Sequence, residues 1–278
     1  MPIHDQGYRR YGGGREPHGR WRVIARAGVL ERLRERVFLG LLLLSWAPVV
    51  VRAVQMYVSA NFSQASFLAP TAETFREFLD QQNIFVFFVT IYVGAGLIAN
   101  DRRANALQIY LSRPLTRVEY VAGKLATLAA CLAAVTWVPA VLLVLIQMTF
   151  AGSTAFVRAN PLLLPAITAF AAAQVLVSAF AMLALSSLSR SRRFVAIMYA
   201  GIIVFTSALY QTLRGITGSR AWAWISPEDT FDVLAAALFG SAGETAISLP
   251  AALLTLAVMV AVSIAILERR VRAVEVVA

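Results

Sequence analysis

Apolar residues fall into six long runs separated by shorter polar segments. The runs cover residues 37–58, 84–99, 125–150, 162–188, 194–213 and 249–267. A helix needs about 20 apolar residues to cross a hydrocarbon core about 30 Å thick, and every run except the second reaches or nearly reaches that length. The pattern predicts an all-α polytopic membrane protein with six transmembrane helices within residues 37–268.

The second run is the shortest, at 16 residues. The residues before it extend the pattern, because Thr74 and Glu77 have the spacing of a capping box, which closes the first turn of a helix. A helix that begins there would carry Phe75, Phe78 and Leu79 through the interface before it enters lipid. Five spans is the alternative if this run does not cross.

The composition agrees with a membrane protein. Hydrophobic residues make up 59% of the chain and charged residues 14%, against about 45–50% and about 25% in soluble domains. The mean hydropathy is +0.69. A soluble fold would expose far more apolar surface than water tolerates, so the lipid bilayer is the expected solvent.

The 25 lysines and arginines indicate an orientation. If the N-terminus is cytoplasmic, 20 of them lie on the cytoplasmic side, in residues 1–36, 100–124, 190–193 and 269–272. Basic residues favour that side, so we expect a chain in the inner (cytoplasmic) membrane with both termini in the cytoplasm. The net charge of +10 does not indicate a nucleic-acid partner, because the basic residues flank the spans and no recognised binding motif accompanies them.

Residues 21–36 combine charge with an apolar stripe, whose members are Val23, Ala27, Leu30, Leu33 and Val37. This spacing predicts an amphipathic helix along the cytoplasmic interface; a plain positively charged flank is the alternative. Residues 1–20 are predicted to be a disordered tail, and residues 269–278 a cytoplasmic tail.

A short helix is predicted in the outer loop between the fifth and sixth spans. Ser226 suits an N-cap and Pro227 suits the first helical turn. Glu228 and Asp229 suit the positive end of the helix dipole, and Gly240 suits a C-cap. We expect this helix to dip into the outer leaflet.

The chain lacks the sequence patterns of an enzyme that hydrolyses ATP or holds a metal. It has no phosphate-loop sequence, its two histidines are His4 and His18 in the N-terminal tail, and its one cysteine is Cys131. No Asp or Glu falls inside the six apolar runs, so no carboxylate pair is available for an ion-coupled pump. We expect no catalytic residue, no metal and no cofactor on this chain, and an energy source on another polypeptide.

The segment between the second and third spans, residues 96–124, is the most informative. The second span is predicted to end at Ala99, and a short amphipathic helix over residues 102–111 places Leu107 and Leu111 four residues apart. Thr116 and Glu119 have the spacing of a capping box that starts the third span. A docking element for a cytoplasmic partner and a connector resting on headgroups fit this spacing equally well.

An acid, two leucines, a serine and proline, an arginine, a glutamate and a glycine-lysine pair follow one another in this segment. They are Asp101, Leu107, Leu111-Ser112, Pro114, Thr116-Arg117, Glu119 and Gly123-Lys124. The order resembles the first cytoplasmic loop of type-2 permeases of ATP-binding cassette (ABC) transporters, and Ser226-Pro227 in the last outer loop also resembles that family.

The resemblance implies a permease half that pairs with a second half, expected to be another copy of this chain. Separate ATPase subunits would carry ATP and Mg²⁺ and drive transport, with export as the family's usual direction. Residues 102–111 would be the coupling helix. The residues expected to contact the ATPase are Arg102, Arg103, Leu107, Leu111 and Arg113.

Four polar side chains within the spans are candidates for lining a pathway or contacting substrate: Arg52, Gln55, Gln147 and Gln174. Arg52 is the one charge inside the apolar runs. It would suit an anionic substrate or a lipid phosphate, and snorkelling to the interface is the alternative. The glutamines would equally suit hydrogen bonds between helices.

The expected function is therefore the permease subunit of an ATP-driven exporter, which is not itself an enzyme. A non-transporting membrane scaffold or assembly factor shares every composition argument and is the alternative. A membrane-embedded enzyme would need a cluster of ionisable groups in the spans, where Arg52 stands alone.

Overall fold

The computed structural model describes residues 19–106, 116–240 and 247–272. Within these ranges the chain is helical and has no β-strand. Six helices are long and apolar enough to cross a membrane, which confirms the predicted six-span, all-α architecture. They are Arg36–Asn61, Ala72–Arg103, Arg117–Phe150, Leu163–Leu188, Arg192–Thr217 and Leu249–Arg270.

We number the α-helices of the described residues in chain order. They are α1 (Arg20–Arg34), α2 (Arg36–Ser45), α3 (Ala47–Asn61), α4 (Ala72–Val89), α5 (Ala99–Arg103), α6 (Arg117–Val135), α7 (Trp137–Phe150), α8 (Ala155–Ala159), α9 (Leu163–Leu188), α10 (Arg192–Thr217), α11 (Pro227–Phe239) and α12 (Leu249–Arg272). The first span is α2 and α3, and the third is α6 and α7. The second is α4, a π-helical turn over Thr90–Gly94, and α5.

The second span begins well before its apolar run. Its helix starts at Ala72, and the backbone N–H of Thr71 donates to the Thr74 hydroxyl at 3.1 Å. The predicted capping box at Thr74 and Glu77 is therefore wrong; the box is one turn earlier, because Thr71 has the extended backbone that an N-cap requires. The earlier start adds Glu73 to the first turn of a helix that already includes Glu77 and Asp80. The apolar run of residues 84–99 has no carboxylate, so the acidic residues of this span lie in the part of the helix before that run.

The fourth span lies at the centre of the bundle. It packs against the second, third, fifth and sixth spans and against α11. Ile167, Phe170, Ala179 and Met182 on this helix are at most 1% exposed. Because the fourth span touches four other spans, its side chains can contact places where the helices of those spans are broken.

Helix α1 presents two faces. Val23, Leu30 and Leu33 from the predicted stripe are exposed, and they remain available for the predicted contact with the membrane interface. The opposite face packs against the third span at Gly28 and Gly123. The helix ends at Arg34 rather than at residue 36, because Glu35 adopts an extended backbone and the first span starts after it.

Helix α11 has the predicted ends. The Ser226 hydroxyl accepts a hydrogen bond from the Asp229 N–H at 3.3 Å, and Gly240 has a φ of 67° at the C-cap. Its buried face includes Phe231, which meets the Phe170 ring of the fourth span edge-on at 5.9 Å between centroids. Insertion among the spans thus holds this helix; its depth in a leaflet remains a prediction.

The two ends of the bundle differ in charge. One end carries α1, residues 101–103, Lys124, residues 190–193 and Arg270, and we call it the basic end. The other, which we call the acidic end, carries six carboxylates: Glu73, Glu77, Asp80, Glu228, Asp229 and Asp232. The two ends defined by charge allow the functional residues to be located without assuming where the membrane lies.

The contact between α1 and the third span can be tested at Gly123. A Cβ added there would lie 2.7 Å from the Ile24 Cβ and 3.1 Å from the Trp21 carbonyl oxygen. We expect Gly123→Ala to destabilise the protein by about 1–3 kcal/mol through overpacking and to speed tryptic cleavage within α1. Thermal unfolding in detergent and limited proteolysis measure the two effects.

The matched control is Gly201→Ala in the fifth span, where an added Cβ meets nothing within 4 Å. Its better helix propensity should leave stability equal or slightly higher, by up to about 1 kcal/mol. Equal cleavage of α1 in both variants would contradict close packing at Gly123.

Candidate functional site at the basic end

The second span is interrupted near its basic end, and a serine from the fourth span fills the gap. The Ser186 hydroxyl donates to the Ala95 carbonyl at 3.0 Å and accepts from the N–H groups of Ile98 and Ala99 at 3.1 and 3.0 Å. Ser186 is fully buried. In a bilayer each of these backbone groups must find its partner within the protein, so this hydroxyl allows the helical hydrogen bonding to break between Gly94 and Ala99.

A second set of bonds supports the π-helical turn that precedes the interruption. The guanidinium of Arg192, at the start of the fifth span, donates to the Tyr92 carbonyl at 2.7 Å and lies 5.0 Å from the centroid of the Tyr92 ring. The Tyr92 hydroxyl donates to Glu35 at 2.8 Å, and Arg32 pairs with Glu35 at 2.6 Å. These contacts connect the end of α1 with the second and fifth spans.

Asp101 of α5 forms the third connection, to the third span. Its Oδ2 lies 2.7 Å from Lys124 Nζ and accepts a hydrogen bond from the Tyr120 hydroxyl, also at 2.7 Å. The side chains of Asp101 and Lys124 are only 18% and 15% exposed. The third span begins at the predicted capping box, where the Glu119 N–H donates to Thr116 Oγ1 at 3.2 Å and the Thr116 N–H donates to Glu119 at 3.1 Å.

The expected coupling helix is only partly described. Arg102 and Arg103 do not start a separate helix, so that part of the prediction is wrong: both belong to α5, and Asn105 in the turn that follows has a φ of 51°. Arg102 is held to the fourth span, where it donates to the Ser187 carbonyl, while Arg103 is exposed. Leu107, Leu111 and Arg113 lie outside the described residues.

The contacts of α5 explain what this arrangement can do. Ser186, Arg102 and Asp101 tie the helix to the third and fourth spans, and Arg103 to Asn105, which follow these contacts, are exposed. A force applied beyond that point would act on several spans together rather than bend one connector. We call Ser186, Asp101, Arg102, Tyr120 and Lys124 the α5 junction.

The sequence indicated only part of the α5 junction. Asp101 and Lys124 belong to the motif of residues 101–124, and Arg102 was a candidate contact. Ser186 was not predicted, because a serine near the end of an apolar run has no signal beyond its polarity. Arg192 was counted only as a flanking charge.

The four candidate pathway residues lie in different surroundings. Arg52 is paired with Glu77 of the second span at 3.0 Å and donates to Gln55 at 3.1 Å. Its charge is therefore compensated within the protein at the acidic end. Gln147 is buried in the third span, and its side-chain oxygen has no hydrogen-bond partner among the described residues.

Gln174 of the fourth span differs from the other three because it lines a cleft. Its amide nitrogen donates to Asn83 of the second span, and both residues line a space of about 550 Å³ that opens beside α11. The structure thus places Arg52 and Gln55 together and Gln174 elsewhere. The role of each in a pathway remains a prediction.

The bridging function of Ser186 predicts a specific loss. Ser186→Ala would remove one acceptor from two buried N–H groups and one donor from a carbonyl, at a cost of about 1–3 kcal/mol for each group left unsatisfied. We expect a lower melting temperature and faster hydrogen exchange at the Ile98 and Ala99 amides. Ser263→Ala is the control, since its hydroxyl bonds only to the Met259 carbonyl of its own helix. Similar losses in both variants would contradict the bridging function.

The Asp101–Lys124 pair predicts a measurable coupling energy. In a double-mutant cycle of Asp101→Asn and Lys124→Met, we expect an interaction of about 0.5–3 kcal/mol, because the two charges touch and are largely shielded from water. Chemical unfolding of the purified protein measures each corner of the cycle. Strictly additive effects would show that the two charges do not depend on each other.

Comparison with known proteins supplies the family. The model of the family described as "ABC-2 family transporter protein" matches residues 22–271. No curated protein sequence matches the chain closely enough to count as a relative. The family match covers all six spans and the α5 junction, so the chain belongs to the ABC-2 transporter family and is a permease subunit of an ABC transporter.

Proposed function

We propose that this permease is an exporter subunit driven by a separate ATPase that docks at the basic end. The α5 junction is the observation that carries the proposal. It holds the residues before the predicted docking segment, and it connects α5 of the second span to the third and fourth spans. The docking residues in this proposal are Arg103, Leu107, Leu111 and Arg113.

The distribution of charge supports the orientation that the proposal requires. The basic end would face the cytoplasm, because basic residues next to spans are retained on that side. The described N-terminal helix α1 and the end of α12 both lie at this end, so both termini would be cytoplasmic in the inner membrane. The acidic end would then face outward.

The proposed mechanism moves helices as rigid bodies. When the ATPase closes on ATP, it displaces the docking segment, and the α5 junction transfers that displacement to the second, third and fourth spans. A flexible connector would absorb the same motion without moving the spans. ATP and Mg²⁺ are assigned to the ATPase, because this chain has no phosphate-loop sequence.

A second copy of the chain completes the proposed transporter. The fifth span offers an extensive exposed apolar face that includes Ile197, Val204, Phe205 and Ile216. Such a face suits either lipid or an identical neighbour. The resemblance to a permease half and the exposed face of the fifth span support the proposed homodimer.

Docking can be tested by purifying the complex from its native membrane. We expect the wild-type chain to bring down an ATP-hydrolysing subunit, and Leu107→Glu with Leu111→Glu to abolish that association. Arg103→Glu should weaken it. The matched control is Arg193→Glu, which reverses an exposed charge at the same end but outside the proposed docking segment. ATP hydrolysis and the subunit composition of the purified complex are the measurements.

Two results would contradict parts of the proposal. Retention of the ATPase in the double leucine variant would show that docking occurs elsewhere. An intact complex whose ATP hydrolysis moves nothing across proteoliposomes, for any of the candidate solutes tried, would favour a scaffold over a transporter.

A further inference from the structure

A cleft opens between the second, fourth and fifth spans, beside α11 and the sixth span. Its volume is about 550 Å³, within the range of about 300–1,000 Å³ that is usual for small-molecule sites. Apolar side chains form most of its wall, and four aromatic rings line it: Phe87, Phe88, Tyr199 and Phe231. A molecule with a flat or bulky apolar body would fit these walls.

Two carboxylates also line the cleft. Asp80 comes from the second span and Glu228 from the first turn of α11, and none of the described lining residues is a lysine or an arginine. Arg76 is shared between two carboxylates, because it hydrogen-bonds to Glu73 at 3.0 Å and forms an ion pair with Asp80 at 3.9 Å. Asp80 Oδ1 has no hydrogen-bond partner among the described residues.

The surroundings of the cleft reinforce its negative charge. Of the six carboxylates of the acidic end, Glu77 pairs with Arg52, and Glu73 and Asp80 share Arg76. Loss of hydration raises the pKa of Asp232 to about 6, and the charges of Asp80 and Asp229 add to the rise. Carboxylates that crowd in this way attract a positive charge.

Gln174 and Asn83 form a polar part of the cleft wall. Gln174 is only 3% exposed, and its amide nitrogen donates to Asn83. Its amide oxygen is buried and has no hydrogen-bond partner among the described residues. This bond between the second and fourth spans holds the wall in place, and the side chains that face a bound molecule are the carboxylates and the aromatic rings.

The chemistry of the walls decides between classes of cation. The described residues contain no group of three or more side chains suited to hold a metal ion. Two separated acids and four aromatic rings match instead an organic cation with an apolar body, since cations are also attracted to aromatic faces.

We propose that this cleft, the acidic cleft, is the binding site for an amphipathic organic cation that the permease transports. Its charge lies between Asp80 and Glu228, and its apolar part packs against Phe88 and Tyr199. The inference rests on the proposed transport function, for which it names the class of substrate.

The test is a binding measurement on the full-length chain in detergent, without ATPase or ATP. Ethidium, an aromatic monocation, serves as the probe in equilibrium dialysis. We expect saturable binding, and Asp80→Asn with Glu228→Gln should raise the Kd by about tenfold or more. Asp229→Asn is the matched control, because it removes the same charge from the same turn of α11 outside the cleft; its Kd should change by less than about twofold.

Several outcomes would overturn the proposal. They are a double variant that binds ethidium like the wild type, an Asp229→Asn variant equally impaired, or an aromatic anion, 1-anilinonaphthalene-8-sulfonate, that competes with equal strength. Each single variant, Asp80→Asn and Glu228→Gln, is measured as well, and gel filtration shows that it is folded. Because no ATPase is present, failed binding leaves the docking proposal intact, and failed docking leaves the cleft intact.

Discussion

A backbone amide or carbonyl in the hydrocarbon core must bond within the protein, and this requirement shapes the second span. The helix is interrupted between Gly94 and Ala99, and without Ser186 the groups there would be left in an apolar medium at a cost of several kcal/mol each. The Ser186 hydroxyl bonds three of them at once. The direction of α5, and with it the location of Asp101 and Arg102, therefore depends on one side chain of the central helix.

Side chains also donate hydrogen bonds to backbone carbonyls at the breaks in the first and third spans. The first span breaks after Ser45, and Gln82 of the second span donates to the Ser45 carbonyl at 3.0 Å. The third breaks at Thr136, and the Trp46 indole donates to the Ala134 carbonyl at 3.2 Å. Pro48 and Pro139 follow these two breaks and cannot donate the backbone bond that a continuous helix requires. These polar side chains in the spans thus bond to backbone groups at the breaks of neighbouring helices.

The two ends of the bundle differ in charge and in packing: the basic end is closely packed, and the acidic end has a cleft. At the basic end, the ion pair of Asp101 with Lys124 and the close contact of Gly123 with α1 favour motion as a unit. At the acidic end, Asp80 and Glu228 stand beside an open cleft. One end is suited to receive a force, and the other to receive a positively charged molecule.

The sequence by itself determined the number of spans, the cap residues of the third span and α11, and the segregation of charge. These features depend on apolar run length and on side chains near each other in the chain. The motif of residues 101–124 also indicated Asp101 and Lys124, but it did not indicate that they form an ion pair.

Only the tertiary structure decided the rest. The union of Ser186 with residues 95–99 and the pairing of Arg52 with Glu77 require residues far apart in sequence to meet. The interruptions of the helices, likewise, could not be predicted from apolar length, because a break is tolerated only where a neighbouring helix supplies a donor or acceptor. Packing around the fourth span determines which helix supplies that donor or acceptor, and no local sequence pattern indicates it.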